Sequence, residues 1–197
     1  MRLTTDQRYS TVAVLLHWAI ALCILSNLAI GWVMEELPKG ELKHVVVSVH
    51  ATIGLTVLTL TLVRIGWRLT HRPPPLDDTL TRLERGLATA VHGGLYFMMI
   101  AMPLVGWAIS SASTRKVAGA SLFLLTPLPK LWFVSALPLP DKIVAHDRAV
   151  DLHWLGAWIF VVLLVAHFAG ALKHQFVDRH SQFARMWFAR DKPEAEI

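Results

Sequence analysis

The sequence predicts an all-α membrane protein in which four spanning helices pack as one bundle. Three observations predict it. Of 197 residues, 54% are apolar and only 17% charged, with a mean hydropathy of +0.49; a soluble domain carries more charge. Four apolar stretches, about residues 11–34, 45–67, 87–113 and 149–172, are each long enough to cross a hydrocarbon core. The last of them, AVDLHWLGAWIFVVLLVAHFAGAL, holds His153 and His167, 14 residues apart. Fourteen helical residues advance about 21 Å and turn a little under four revolutions, so both rings project from one stripe at two depths.

The first stretch follows MRLTTDQRYS and stays apolar for over 20 residues. That exceeds a signal-peptide core, and no small-residue cleavage site follows, so it reads as a retained span. Trp18, Trp32, Trp67, Trp107 and Trp154 fall near span ends, where an aromatic belt places them. HRPPPLDD (His71 to Asp78) reads as a stiff connector between the second and third spans. The apolar segment Val117 to Leu137 is broken by Pro127, Pro129 and Lys130 and followed by Pro138 and Pro140. A spanning helix could hardly satisfy its backbone there, so an interfacial or re-entrant loop is expected. The tail RHSQFARMWFAR (Arg179 to Arg190) places Phe183, Met186 and Trp187 on one side among arginines. Either a short interfacial helix or a partly ordered tail fits that pattern. The whole chain, residues 1–197, reads as a single membrane domain.

Charge gives an orientation. Arg2 and Arg8, the second connection (Arg64, Arg68, Arg72, Arg82, Arg85) and the tail (Lys173, Arg179, Arg185, Arg190, Lys192) hold twelve of the 19 basic residues. The other side holds Lys39, Lys43, Arg115, Lys116, Lys130, Lys142 and Arg148, together with Glu35, Glu36 and Glu41. The positive-inside rule therefore puts both termini in the cytoplasm. The net charge of +5 is explained by these loops without a nucleic-acid partner. A single cysteine, Cys23, excludes an internal disulfide, a covalent haem motif and a cysteine-rich metal site.

The histidines carry the chemistry. Because spans alternate direction, His17 and His167 share a cytoplasmic-side depth, and His50 and His153 share an outer-side depth. The layers lie roughly 20 Å apart along the membrane normal. Intramembrane histidines are functional suspects. Two pairs at two depths suit two haems b, each iron taking one imidazole from span four and one from span one or two. Such closed six-coordinate sites carry electrons and do not readily bind oxygen. Two bland readings stand beside this one: interhelical hydrogen bonding, and a histidine-lined metal carrier. The second is disfavoured because the spans hold almost no Asp or Glu.

Gly54, Gly93, Gly94 and Gly106 either make room for a flat cofactor or serve ordinary helix packing. His92 starts span three at the cytoplasmic depth, as a propionate or quinone contact or an interfacial residue. His174 lies seven residues beyond His167, on the same face and about 10 Å nearer the cytoplasm. It reads as a proton donor to a quinone or a solvated side chain. Arg64 and Lys173 are candidates to pair with propionates, and equally fit as span-end positive charges. His44, His71, His146 and His180 look like loop or interface residues.

The pieces RYSTVAVLLHW, VHATIG, LVRIGWR, HGGLYFMMIAMPLVGW and LHWLGAWIFVVLLVAHFAGALKHQF, in that order, resemble the bacterial cytochrome b561 family, which is related to the b-type cytochrome subunits of nickel–iron hydrogenases. The resemblance covers essentially the whole chain. It implies a four-helix bacterial inner-membrane bundle with two haems b, His17 and His167 ligating the inner one and His50 and His153 the outer. It also places His174 where the family has a histidine near a ubiquinone site. One family member is described as a superoxide oxidase, passing electrons from superoxide outside to quinone inside. Two functions are therefore expected as alternatives: an electron carrier between an outer donor, such as superoxide, and the quinone pool, or a membrane-anchor subunit serving a separate periplasmic or membrane oxidoreductase. The basic third connection would steer an anionic donor.

Overall fold

The computed structural model describes residues 8–75, 80–114, 120–178 and 182–187. Four long helices dominate: α1 (Thr11–Glu36), α2 (Glu41–Thr70), α3 (Arg82–Ala112) and, after a short excursion, α5 (Leu139–Leu172). At 1.5 Å per residue the shortest, 26 residues, is about 39 Å long, so each can cross a bilayer. The helices run past the apolar spans at most ends, as membrane helices do when polar turns project into the headgroups.

Local chemistry sets the starts. Ser10 caps α1, its Oγ accepting from the amide of Ala13 at 3.3 Å. Thr81 and Glu84 form a reciprocal capping box at the head of α3. At α5, Pro138 is the cap residue and Pro140 lies in the first turn, where no intrahelical N–H is needed. The same prolines that argue against a span through 117–137 therefore open a helix ten residues before the apolar segment begins.

Packing follows two pairs. α1 packs on α2, α3 packs most extensively on α5, and α2 against α3 joins the pairs. The small mid-bundle core comprises Ile20, Ile24, Val57, Leu95, Met98, Met99 and Phe160. Outward-facing Leu22, Leu62, Phe97, Val162 and Val165 are exposed apolar side chains around the helices' middle, a surface suited to lipid. Gly156 of α5 admits the Met102 side chain of α3 where a Cβ would collide with its sulfur.

Between α3 and α5, the described part of the connection is a two-stranded hairpin, β1 (Ser121–Leu122) and β2 (Thr126–Pro127), then the one-turn α4 (Trp132–Ser135). It is not a fifth span, as expected. Its backbone is tied down by helix side chains, three hydroxyls and an indole: Ser121 N donates to Ser48 Oγ at 3.0 Å, Phe123 N to Thr52 Oγ1 at 3.0 Å and Leu131 N to Ser111 Oγ at 2.9 Å. Trp107 Nε1 donates to the Pro129 carbonyl at 2.6 Å. Phe123 and Leu124 hold the turn at φ 51° and 60°, a left-handed conformation that apolar L residues rarely adopt.

The described tail, with α6 (Gln182–Arg185), docks on the bundle. Trp18 Nε1 donates to the Met186 carbonyl at 2.9 Å, the Trp18 and Trp187 rings meet edge to face, and Tyr9 N donates to the Arg185 carbonyl at 3.2 Å. Residues 179–181 and 188–190 of the expected interfacial helix lie outside the described residues. Both ends of the described chain thus meet at one end of the bundle, called proximal below; the hairpin end is distal.

Candidate functional site: two histidine pairs at two depths

The proximal pair is His17 of α1 and His167 of α5, with ring centroids 6.2 Å apart and planes at 62°. The distal pair is His50 of α2 and His153 of α5, 6.0 Å apart at 70°. All four rings are at least half buried. A metal–imidazole bond of about 2.0 Å and a ring nitrogen about 1.1 Å from its centroid put two axial imidazoles about 6.2 Å apart. Both pairs match that spacing. His92 of α3 also touches His167, but at 5.2 Å, too close for an atom between the rings. Its Nδ1–H donates to its own helix at the Ala88 carbonyl, 2.7 Å away.

The donor set fits haem b in a second respect. The Nδ1 atoms of His50 and His153 are buried with no hydrogen-bond partner among the described residues. Buried polar atoms are normally satisfied, and unsatisfied ones cluster at functional sites. Among the described residues no group of three or more His, Cys, Asp or Glu forms a cation cage. Paired imidazoles with no carboxylate suit axial ligation better than hydrated-metal transport.

The proximal surroundings are polar. Arg64 Nε donates to Tyr96 Oη at 3.1 Å and Nη1 to the Ala13 carbonyl at 2.8 Å, one turn before His17. Its Nη2 makes no hydrogen bond among the described residues, so a propionate contact remains open to it. Lys173 is differently placed from expectation: its Nζ is taken by Glu84 at 2.6 Å and by Asp178 at 2.8 Å. A cation already held by two carboxylates is a poor propionate partner. His174 sits in a π-helical turn, Lys173–Val177, that continues α5. Its Nδ1–H donates to Asp178 Oδ2 at 2.7 Å, and its side chain is 15% exposed. Lys173 first, and then His174, hold the Asp178 carboxyl below the usual carboxylate range by hydrogen bonding to its charged form. π turns inside α-helices are frequent at functional sites.

The glycines divide: Gly54 and Gly94 admit Asn27 and Leu163 of neighbouring helices, as in ordinary helix packing, while a Cβ at Gly93 meets nothing within 4 Å. Gly106 does not line an open face; a Cβ there would meet His153 Cε1 at 3.3 Å. Gly31, which sequence reasoning passed over, stands in the same relation to His50 at 3.4 Å. The signal was present in the chain. His17 and Gly31–Trp32 repeat the spacing of His92 and Gly106–Trp107, so α1 and α3 carry one pattern twice.

Comparison with known proteins bears on this geometry. The family described as prokaryotic cytochrome b561 matches residues 8–189. The chain belongs to that family. Cytochrome b561 homolog 2 of Escherichia coli K12 is 30% identical over 183 residues, covering 92% of each chain. Cytochrome b562 of Cereibacter sphaeroides is 29% identical, over 74% of this chain and 94% of its own. A probable superoxide oxidase, CybB of Yersinia pestis, is 25% identical over 91% of this chain and 96% of its own. As a b561 protein with four membrane helices, the chain is a bacterial multi-pass b-type cytochrome of electron transfer, and its cofactor is haem b.

Proposed function

We propose that the protein holds two haems b and conducts electrons across the bacterial inner membrane, from a donor on the outer side to quinone on the cytoplasmic side. The observation that carries this reading is the pair of imidazole spacings, 6.2 and 6.0 Å, at opposite ends of one bundle. His17 and His167 are assigned as axial ligands of the proximal haem, His50 and His153 of the distal one. The proximal end carries both ends of the described chain and the basic residues Arg64, Arg68, Arg82 and Arg85 of the second connection, so by the positive-inside rule it faces the cytoplasm.

When bound, each haem takes up and releases one electron. The residues do the rest. Held between two imidazoles, each haem would have no open position for oxygen, which favours electron transfer. Arg64 places a fixed cation beside the proximal pair, favouring the state with the added electron. Reduction of a quinone also consumes two protons at the side where it occurs. His174, its Nδ1–H held by Asp178, leaves Nε2 as the proton-handling atom near the proximal surface.

Superoxide is the donor proposed here. Its support is the 25% identical relative whose printed name is a probable superoxide oxidase and the basic residues of the distal connection. The test is stopped-flow mixing of the purified protein, in detergent with a ubiquinone analogue, against enzymatically generated superoxide. Haem reduction followed by quinol formation, both abolished by superoxide dismutase, is expected. Haem reduction only in the presence of a co-purifying oxidoreductase would establish the anchor-subunit function instead.

A further inference from the structure

The environment of the distal pair repeats with a regularity that its ligand role does not require. His50 of α2 turns its Cε1 and Nδ1 edge toward Gly31 of α1; a Cβ there would lie 3.4 and 3.7 Å from these atoms. His153 of α5 turns the same edge toward Gly106 of α3, at 3.3 and 3.7 Å. In each case the acceptor facing the ring is the carbonyl one turn before the glycine, that of Asn27 for His50 and of Met102 for His153. The packing is reciprocal. Gly54, one turn after His50, admits Asn27, and Gly156, three residues after His153, admits Met102. Two different helix pairs therefore build one arrangement from unrelated side chains, with glycine and backbone carbonyl as the shared parts.

We infer that the distal ligand rings are oriented by a glycine-and-carbonyl seat on the adjacent helix, Gly31 with the Asn27 carbonyl for His50 and Gly106 with the Met102 carbonyl for His153. The inference rests on the assignment of His50 and His153 as haem ligands. A ligating imidazole almost always donates its second ring N–H to a carbonyl or carboxylate, which fixes its tautomer and raises its basicity. The Nδ1 atoms are the unpartnered ones, and they face the seats. Nε2 is thus the nitrogen left for iron. The contacts as they stand fall short of hydrogen-bond geometry; with iron on Nε2, each Nδ1–H would be held by its carbonyl. Glycine leaves the ring edge room to turn toward the carbonyl of the turn before: a Cβ at Gly106 would press on the His153 ring at 3.3 Å, and one at Gly31 would stand in van der Waals contact with the His50 ring at 3.4 Å. Gly31 and Gly106 are accordingly positioning residues.

The test compares Gly31→Ala, Gly106→Ala and the double variant with Gly86→Ala, near the start of α3, where a Cβ meets nothing within 4 Å. Redox potentiometry and the low-spin ferric EPR signals are read separately for each haem. The distal haem is identified as the component lost in His153→Ala. A ring pushed off its carbonyl is a weaker donor to ferric iron, so the distal potential should rise, in the double variant by on the order of a tenfold change in the reduction equilibrium, about 59 mV. The largest g value of the distal signal should move with it, while the proximal haem and the Gly86→Ala protein stay unchanged. Selective loss of the distal haem from the glycine variants has the same meaning. Unchanged distal signals, or equal shifts in both haems, overturn the seat. Should the variants fail to fold, pulsed EPR of the wild-type protein decides: the remote-nitrogen quadrupole couplings of the distal imidazoles should be those of hydrogen-bonded Nδ1–H, and non-bonded values overturn it. If His153→Ala removes no haem, the ligand assignment itself fails, which is a different result from an unmoved potential.

Discussion

At the proximal end, His17 and His167 sit among Arg64, Tyr96 and His92, with His174, Asp178, Lys173 and Glu84 a turn or two beyond. At the distal end, His50 and His153 sit against glycines and backbone carbonyls, and the charged residues Glu35, Glu36, Lys43, Asp147, Arg148 and Asp151 lie in the outer turns of α1, α2 and α5. The spacing within the two pairs is nearly the same, yet one site is surrounded by movable protons and a fixed cation while the other has rigid backbone. Such a contrast suits a wire whose two ends do different work. Proton uptake belongs where polar side chains reach the surface, and a donor that gives only an electron needs none. In the proposed wire, Arg64 would bias the electron toward the proximal end.

The ligands should separate the layers most completely. His153→Ala and His167→Ala are each expected to lose one haem, and a different one, as read by haem content and the split of the reduced b-type band. Loss of the same redox component in both would merge the two layers into one.

Next in size is the packing that holds the pairs in register. Gly156→Val forces a branched side chain into the Met102 sulfur and against Met98. Overpacking of that kind costs about 1–3 kcal/mol, so thermal unfolding in detergent should come several degrees earlier. Met102→Ala on the same background should recover part of the loss.

A smaller effect isolates the electrostatic contrast. A unit charge about 8 Å away at an effective dielectric near 20 is worth about 2 kcal/mol. Screening by propionates reduces this, so Arg64→Met should lower the proximal potential by tens of millivolts, on the scale of about 59 mV per tenfold change for one electron. The distal potential should stay within error. A shift of both would mean that Arg64 acts through the fold rather than through its charge.

The smallest expected effect tests the proton side. Asp178→Asn should leave both haem spectra and potentials intact while slowing quinol formation several-fold and displacing its pH profile, because His174 loses the carboxylate that orients its Nδ1–H. An unchanged pH profile would remove His174 from the proton path.

Much of this contrast is legible in the chain itself. Hydropathy places the four helices, and alternating span direction pairs His17 with His167 and His50 with His153, the pairs that the structure brings together. Other parts are not legible, for physical reasons. Pro138 and Pro140 read as breakers because their missing N–H matters inside a helix, whereas in the first turn of α5 it does not. The hairpin tip, Phe123 and Leu124, carries none of the Asn or Gly that such a turn normally signals. Lys173 looked free for a propionate because Glu84, 89 positions earlier in the chain, gives no local sign of its approach. Gly106 stood out as small, but what it is small for depends on the ring of His153, on another helix. Only its match with Gly31 in the repeated spacing could have hinted at that.

The central claim, one haem held at each end of the bundle, is most directly tested by haem quantification on the purified wild-type protein together with a potentiometric titration of the b-type absorption band. Two haems per chain and two one-electron components, one missing in His153→Ala and the other in His167→Ala, are predicted. One haem per chain, or a single component abolished by either substitution, would contradict the account.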